Sequence, residues 1–141
     1  MAELLTGAAL AARAAAALDV PLQRSLGARL IDPDAPAAGA WFVVDGLASN
    51  GRGALHAAAL GTVLELAAYL ALLPELSGSE DAVTHAIATQ FVAAARDGDR
   101  VEVRGQVDRR TRRLAFLSVT ATTSGRTVAR AQLTKAILEP R

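Results

Sequence analysis

Glu65 is a lone acid in a long apolar run. The stretch Asn50 to Leu73, NGRGALHAAALGTVLELAAYLALL, opens as a glycine-rich polar loop, passes His56, and continues as a helix-like segment whose only charge is Glu65. An ionised carboxylate buried without a partner costs several kcal/mol, so this one must be paired, protonated or facing a cavity. Facing a cavity, it can activate water as a base or attack a carbonyl as a nucleophile. Ala57 and Ala58 fall in the first turn of the expected helix. There, free N–H groups and the helix dipole can steady a developing oxyanion.

Other chemistry-bearing residues surround this core. Asn50 can hold water or a carboxylate through its amide, although Asn-Gly equally favours a turn. Tyr69 lies one turn beyond Glu65 on the same helix face and is placed to line a pocket or to pack in the core. Arg109, Arg110, Arg112 and Arg113 form a basic turn, RRTRR, of the type that grips phosphates bidentately or simply faces solvent. The chain has no Cys, which removes disulfides and thiol catalysis and suits a reducing compartment. Two His, far apart, argue against a dedicated zinc site.

The elements that must position these groups are legible from periodicity. With 141 residues and 52% apolar content, the chain is long and apolar enough for one packed domain, expected to span 1–141. Its net charge of +1 argues against nucleic-acid binding. An Ala-rich helix is expected over about 2–18, where Glu3 and Arg13 argue against an export signal. Pro21 opens a second short helix, and ARLIDP and GAWFVVDG read as a β-hairpin joined by a turn-rich link. Of Trp41 and Phe42, one should face the core and the other the N-terminal helix. The central helix is expected over Ala54–Leu73, closed by Pro74. It is long enough to span a membrane, but Glu65 at its centre argues against insertion. The period then becomes two. Val83, His85, Ile87, Thr89 and Phe91 share one strand face, RDGD reads as a turn to the strand from Val101, and two more strands run over Leu114–Thr123 and Thr127–Leu138. Short turns between strands imply antiparallel pairing, and the apolar central helix is the natural cover for such a sheet.

This order of elements, with NGRGALHAAALGTVLEL at the loop-to-helix junction, resembles the hotdog-fold acyl-CoA thioesterases, most closely the phenylacetyl-CoA thioesterase type. The family's Asn, Gly, His and helix acid correspond to Asn50, Gly53, His56 and Glu65, nine residues after the His. VTHAIATQFVAAARDGDRVEV and RRTRRLAFLSVTATTSGRTVARAQLTK resemble its later strands. Two departures stand out: Ala57-Ala58 replaces a Gly-Gly pair, and Ala93-Ala94 replaces a frequent Arg-Pro pair.

The resemblance implies an α+β hotdog fold, a curved antiparallel sheet wrapped around the central helix, here with an extra N-terminal helix. It implies a cytoplasmic homodimer or homotetramer, paired along Val83–Val92, that hydrolyses acyl-CoA. No metal or organic cofactor is implied, since CoA belongs to the substrate. Glu65 would be base or nucleophile, and Ala57 and Ala58 would supply the oxyanion N–H groups. His56 would hold the loop or the substrate, and Asn50 would hold the water. Thr84 would approach Glu65 of the other subunit. Tyr69 would line the acyl pocket and the arginines of RRTRR would meet the CoA phosphates. The competing readings are a hotdog hydratase or dehydratase, which would need a His–acid pair at another spacing, and a non-catalytic acyl-CoA-binding module, motivated by Ala57-Ala58.

Overall fold

The computed structural model describes residues 2–139. The chain forms α1 (Gly7–Leu18), α2 (Pro21–Ser25), β1 (Arg29–Leu30), β2 (Ala40–Val43), α3 (Ala57–Leu72), β3 (Asp81–Phe91), β4 (Arg100–Arg110), β5 (Leu114–Thr123) and β6 (Arg126–Leu138). All six strands join one antiparallel sheet in the order β1-β2-β4-β5-β6-β3. The sheet curves around α3, which lies against β4 and β5 above all. This is the hotdog architecture, with α1 as the added N-terminal helix.

Apolar residues nearly all round α3 demand cover on most sides. Nine of its sixteen residues are buried, among them Leu60, Val63, Leu64, Leu70 and Leu72. The sheet answers with Phe42, Val101, Val103, Leu117 and Leu133. The closest approach is at Gly105 of β4, where an added Cβ would lie 2.8 Å from the Ala67 carbonyl oxygen. Only glycine lets helix and strand come so near without strain. The segment Ala57–Glu75 is long and apolar enough to cross a membrane by length and composition, but more than half of it is buried in the chain's own fold.

Several expectations are corrected. The central helix begins at Ala57, not Ala54, because Ala54 and Leu55 form isolated bridges with Arg96 and Ser49. α1 begins at Gly7, because the residues before it run extended: Leu4 bridges Ser77 and the Leu5 N–H donates to the Leu76 carbonyl. Trp41 does not meet α1; Arg100 stacks 3.9 Å from its ring centroid, while Phe42 is fully buried. β3 and β4 are not a hairpin. β3 pairs with β6, and β4 lies between β2 and β5. The connecting segment instead knits to the loop before α3 and to the end of β2: Leu55 N–H to Ala95 carbonyl, Asp97 N–H to Gly53 carbonyl and Gly98 N–H to Val44 carbonyl.

The strict alternation of β3 is also broken. A bulge at His85 lies between Thr84, paired with Lys135, and Ala86, paired with Thr134. An extra residue reverses the facing of the remainder of the strand. Ala82 and Thr84 therefore face the helix side, and so do Ile87, Thr89 and Phe91, opposite the core residues Leu133, Ala131 and Ala129. Yet Ile87 is 42% exposed and Phe91 55%. β3 is an edge strand whose inner face outruns the cover its own helix gives.

Candidate active site

α3 is not closed all round. Ala57, Ala58, Gly61, Thr62, Glu65 and Tyr69 form one unburied stripe at three- and four-residue spacing. Glu65 and Tyr69 project from it into a cavity of about 620 Å³, walled by the start of β3, by Lys135 of β6 and by Arg13, Ala16 and Ala17 of α1. Thr84 lines the same cavity. The fold thus brings Glu65, Tyr69 and Thr84 of one chain together, whereas the sequence reading set Thr84 beside Glu65 of the other subunit; the bulge at His85 and the start of β3 turn Thr84 toward its own α3.

The cavity also holds charges that the sequence reading does not place there. Lys135 stands on the inward face of β6 between Leu133 and Ile137, and it is 4% exposed. Its Nζ donates to Thr84 Oγ1 at 3.1 Å and sits 5.7 Å from the Tyr69 ring centroid. Burial pushes the Lys135 ammonium below the usual lysine range, while the charges of Glu65 and Asp81 pull it back. Tyr69 Oη donates to Asp81 Oδ1 at 2.9 Å. Burial first, then this bond and the Asp81 charge, push the Tyr69 hydroxyl up to about 12, so it acts as a neutral donor. Arg13 approaches Asp81 at 4.0 Å and also donates to the Glu80 carbonyl, which ties α1 to the rim. Sequence reasoning missed Lys135, Asp81 and Arg13. One signal was available: Lys135 is the only lysine among 15 basic residues, placed within an apolar alternation.

The α3 entrance is a separate place. His56 is the N-cap, and its Nδ1 accepts from the Ala58 N–H at 3.0 Å. That bond requires the proton on Nε2 and occupies the Ala58 donor. Of the two N–H groups expected to serve an oxyanion, Ala57 is therefore the open one. Asn50 Oδ1 accepts from Arg52 N–H at 2.7 Å and from Ala54 N–H at 3.3 Å, so its oxygen shapes the loop while its amide NH₂ remains for other partners. A smaller cavity of about 370 Å³ opens here, lined by Leu55, Ala57, Leu60 and the segment from Phe91 to Ala95. Ala57 and Glu65 are eight residues apart on one helix, about 12 Å along its axis.

The arginine turn does not act as one patch. Arg110 pairs with Glu80 at 2.7 Å, both side chains mostly buried. The Ser77 backbone N–H, with Arg110 adding to it against the effect of burial, holds the Glu80 carboxyl below its usual range. Arg112 pairs at the surface with Glu139 at 3.4 Å, and Arg109 and Arg113 are exposed. None of the four lines either cavity. Neither His lies in the Glu65 cavity. Among the described residues no cluster of three His, Cys, Asp or Glu side chains is placed to hold a metal.

Comparison with known proteins gives the family and the fold. The family model described as thioesterase superfamily matches residues 52–130, more than half of the chain. No curated protein matches. Among solved structures, a thioesterase family protein from Silicibacter pomeroyi superposes with a TM-score of 0.80 at 23% identity, over 92% of this chain and 98% of that one. A phenylacetic acid degradation-related protein from Ralstonia eutropha gives 0.75 at 21% identity, over 90% and 98%. A Bacillus halodurans protein whose structure contains CoA gives 0.77 at 16% identity, over 92% and 83%. At such identities the likeness speaks for the fold, and the family match speaks for descent: the chain belongs to the thioesterase superfamily.

Proposed function

We propose that the protein hydrolyses acyl-CoA thioesters at a site completed by a second copy of the chain. One observation carries this reading. The backbones of Ala57, with its open N–H, and Glu65 are about 12 Å apart along α3, two helical turns, whereas a single thioester carbonyl needs both groups within a few ångströms. One chain therefore holds two half-sites, with the bare edge β3 running between them. Its start lines the Glu65 cavity and its end, at Phe91, lines the Ala57 cavity. Antiparallel pairing of two β3 strands sets the start of one beside the end of the other. Glu65 of one chain then faces Ala57 of its partner, and the apolar inner face of β3 is covered.

In that arrangement the thioester carbonyl oxygen accepts the Ala57 N–H, and Glu65 takes a proton from water as the water oxygen bonds to the carbonyl carbon. The C–S bond breaks, and CoA leaves as a thiolate that regains the proton. Direct attack by Glu65, through an anhydride that water then opens, uses the same atoms. In this reading Thr84 and the Asn50 amide orient the water, Tyr69 lines the acyl end, and His56 holds the loop by capping α3. Arg109 and Arg113, and Arg112 on leaving its surface pair with Glu139, would be the members of the basic turn that meet CoA phosphates across a dimer or tetramer. The reading needs no cofactor beyond the CoA of the substrate and suits a cytoplasmic enzyme. CoA in the Bacillus halodurans relative supports the ligand class. A second reading, acyl-CoA binding without turnover, is favoured only by the Ala57-Ala58 methyl groups beside the carbonyl position.

The test is thiol release from phenylacetyl-, benzoyl-, hexanoyl- and lauroyl-CoA by wild type and Glu65→Gln. Turnover that drops about a hundredfold or more in a folded variant supports hydrolysis through Glu65. Acyl-CoA binding with no turnover by the wild type transfers the case to the second reading.

A further inference from the structure

Lys135 is a buried cation without a salt bridge. Among the described residues no carboxylate oxygen lies within 4.0 Å of its Nζ, and its one hydrogen bond is to Thr84 Oγ1 at 3.1 Å. An ammonium has three donors, so two remain, at a side chain that is 4% exposed and lines the Glu65 cavity. A cation kept only for stability would be paired, and one in an apolar stripe between Leu133 and Ile137 would be replaced by an apolar residue at no loss. Every other basic residue of the chain is arginine. Lysine here supplies a compact point charge on a flexible stem.

We propose that Lys135 is a positioning residue for the hydrolysis, acting through Thr84 and through its charge on the Glu65 cavity. The proposal rests on the thioesterase reading of that cavity. A hydroxyl has one proton to give, and lysine can only donate. Because Thr84 Oγ1 accepts from Lys135, its own proton points away from Nζ and into the cavity, toward the Glu65 carboxylate or the water it activates. The ammonium also places fixed positive charge where negative charge gathers in the transition state. The charged and titratable groups facing it are Arg13 from α1, Glu65 and Tyr69 from α3, and Asp81 from β3. Tyr69 titrates only near 12. Loss of the Lys135 charge, which burial brings below the usual lysine range, is then the first change in the cavity as pH rises through the alkaline region.

The experiment compares wild type, Lys135→Met and Lys135→Arg, with Glu65→Gln alongside. Lys135→Met is expected to melt at the same temperature as wild type or higher, while kcat falls about tenfold or more and KM changes little. Wild-type kcat should fall at alkaline pH, and Lys135→Arg, which keeps its charge, should lose that fall. Because the chain has a single lysine, ¹⁵Nζ labelling reports one side-chain signal, whose titration midpoint should lie below the ordinary value and drop further in Glu65→Gln. Unchanged kcat in Lys135→Met, or the same alkaline fall in Lys135→Arg, overturns the proposal while an active wild type leaves the thioesterase reading standing. A lowered melting temperature in Lys135→Met with kcat retained would make the lysine structural. An inactive wild type would sink both ideas together.

Discussion

Gly105→Ala is the sharpest test of how the sheet holds the helix that carries Glu65. The backbone of Gly105 suits any residue, so on conformational grounds alanine should stabilise by about 0.4–1 kcal/mol through the unfolded chain. The new Cβ, however, would stand 2.8 Å from the Ala67 carbonyl oxygen and 3.1 Å from Ala71 Cβ. Both neighbours belong to α3, and the nearer is backbone, so relief requires the helix to retreat by about half an ångström in a packed core. Overpacking of this kind costs about 1–3 kcal/mol, and a contact this short on backbone belongs in the upper half of that range, leaving a net loss of about 1–2 kcal/mol. For a domain of this size that lowers Tm by about 3–8 °C, measured by calorimetry at matched protein concentration. Glu65 is two residues from Ala67 on the retreating helix, whereas Thr84 and Lys135 stay on the sheet. Thiol release should therefore show kcat falling more than KM changes. A melting temperature equal to or above that of wild type would refute the reasoning, since it would mean that the helix is free to slide.

Two other substitutions probe the edge strand and the buried ion pair. Ile87→Arg puts a charge on the exposed inner face of β3 without touching Glu65 or Ala57; it should convert the assembly to monomers by analytical ultracentrifugation and abolish thiol release together with it. Full activity in a monomeric variant would end the shared-site idea. Glu80→Gln removes the charge that faces the mostly buried Arg110 and should cost about 1.5–3 kcal/mol at neutral pH. Because the folded-state pKa of Glu80 is depressed, its contribution is present above the unfolded value and disappears as pH falls through the folded one. The Tm gap between wild type and Glu80→Gln should thus narrow as pH drops from about 5 to about 3; a constant gap would contradict the sign.

The fold was legible where the signal was local. An apolar run with one acid, closed by Pro74, marks α3 to within three residues at its start. Ser124-Gly125, with φ of 48° and 74°, forms the tight turn expected between β5 and β6. What misled was also local. RDGD is a turn, and a turn between two strands suggests a hairpin, but the partners of Arg96 to Gly98 lie in the loop before α3 and at the end of β2. No window of sequence contains both sides of that contact. The bulge at His85 is equally silent, since alternation continues through it in residue type although not in facing. That Glu65 and Tyr69 share one face was readable from helix spacing, but that Thr84 lines the cavity of its own chain was not, since the facing of a strand residue depends on its partner strand. Arg110 was misread because nothing local foretells its pairing with Glu80, thirty residues before it in the chain. Ala58 was misread because the capping bond of His56 is a matter of side-chain direction.

The place of β3 has a consequence for how the protein is made. Its only neighbour in the sheet is β6, the last strand in chain order, and the register joins Asp81 to Leu138 and Phe91 to Ala129. A growing chain therefore exposes β3, with Val83, Ile87 and Phe91, well before the strand that anchors it has been synthesised. Until then β3 has no strand to pair with and only the few contacts of its start with α3, and contacts of such long sequence separation form slowly. The edge through which two copies would meet is thus built last. Association through that edge would wait for completion of the fold, and a nascent or truncated chain would offer a sticky strand without the sheet that makes it specific.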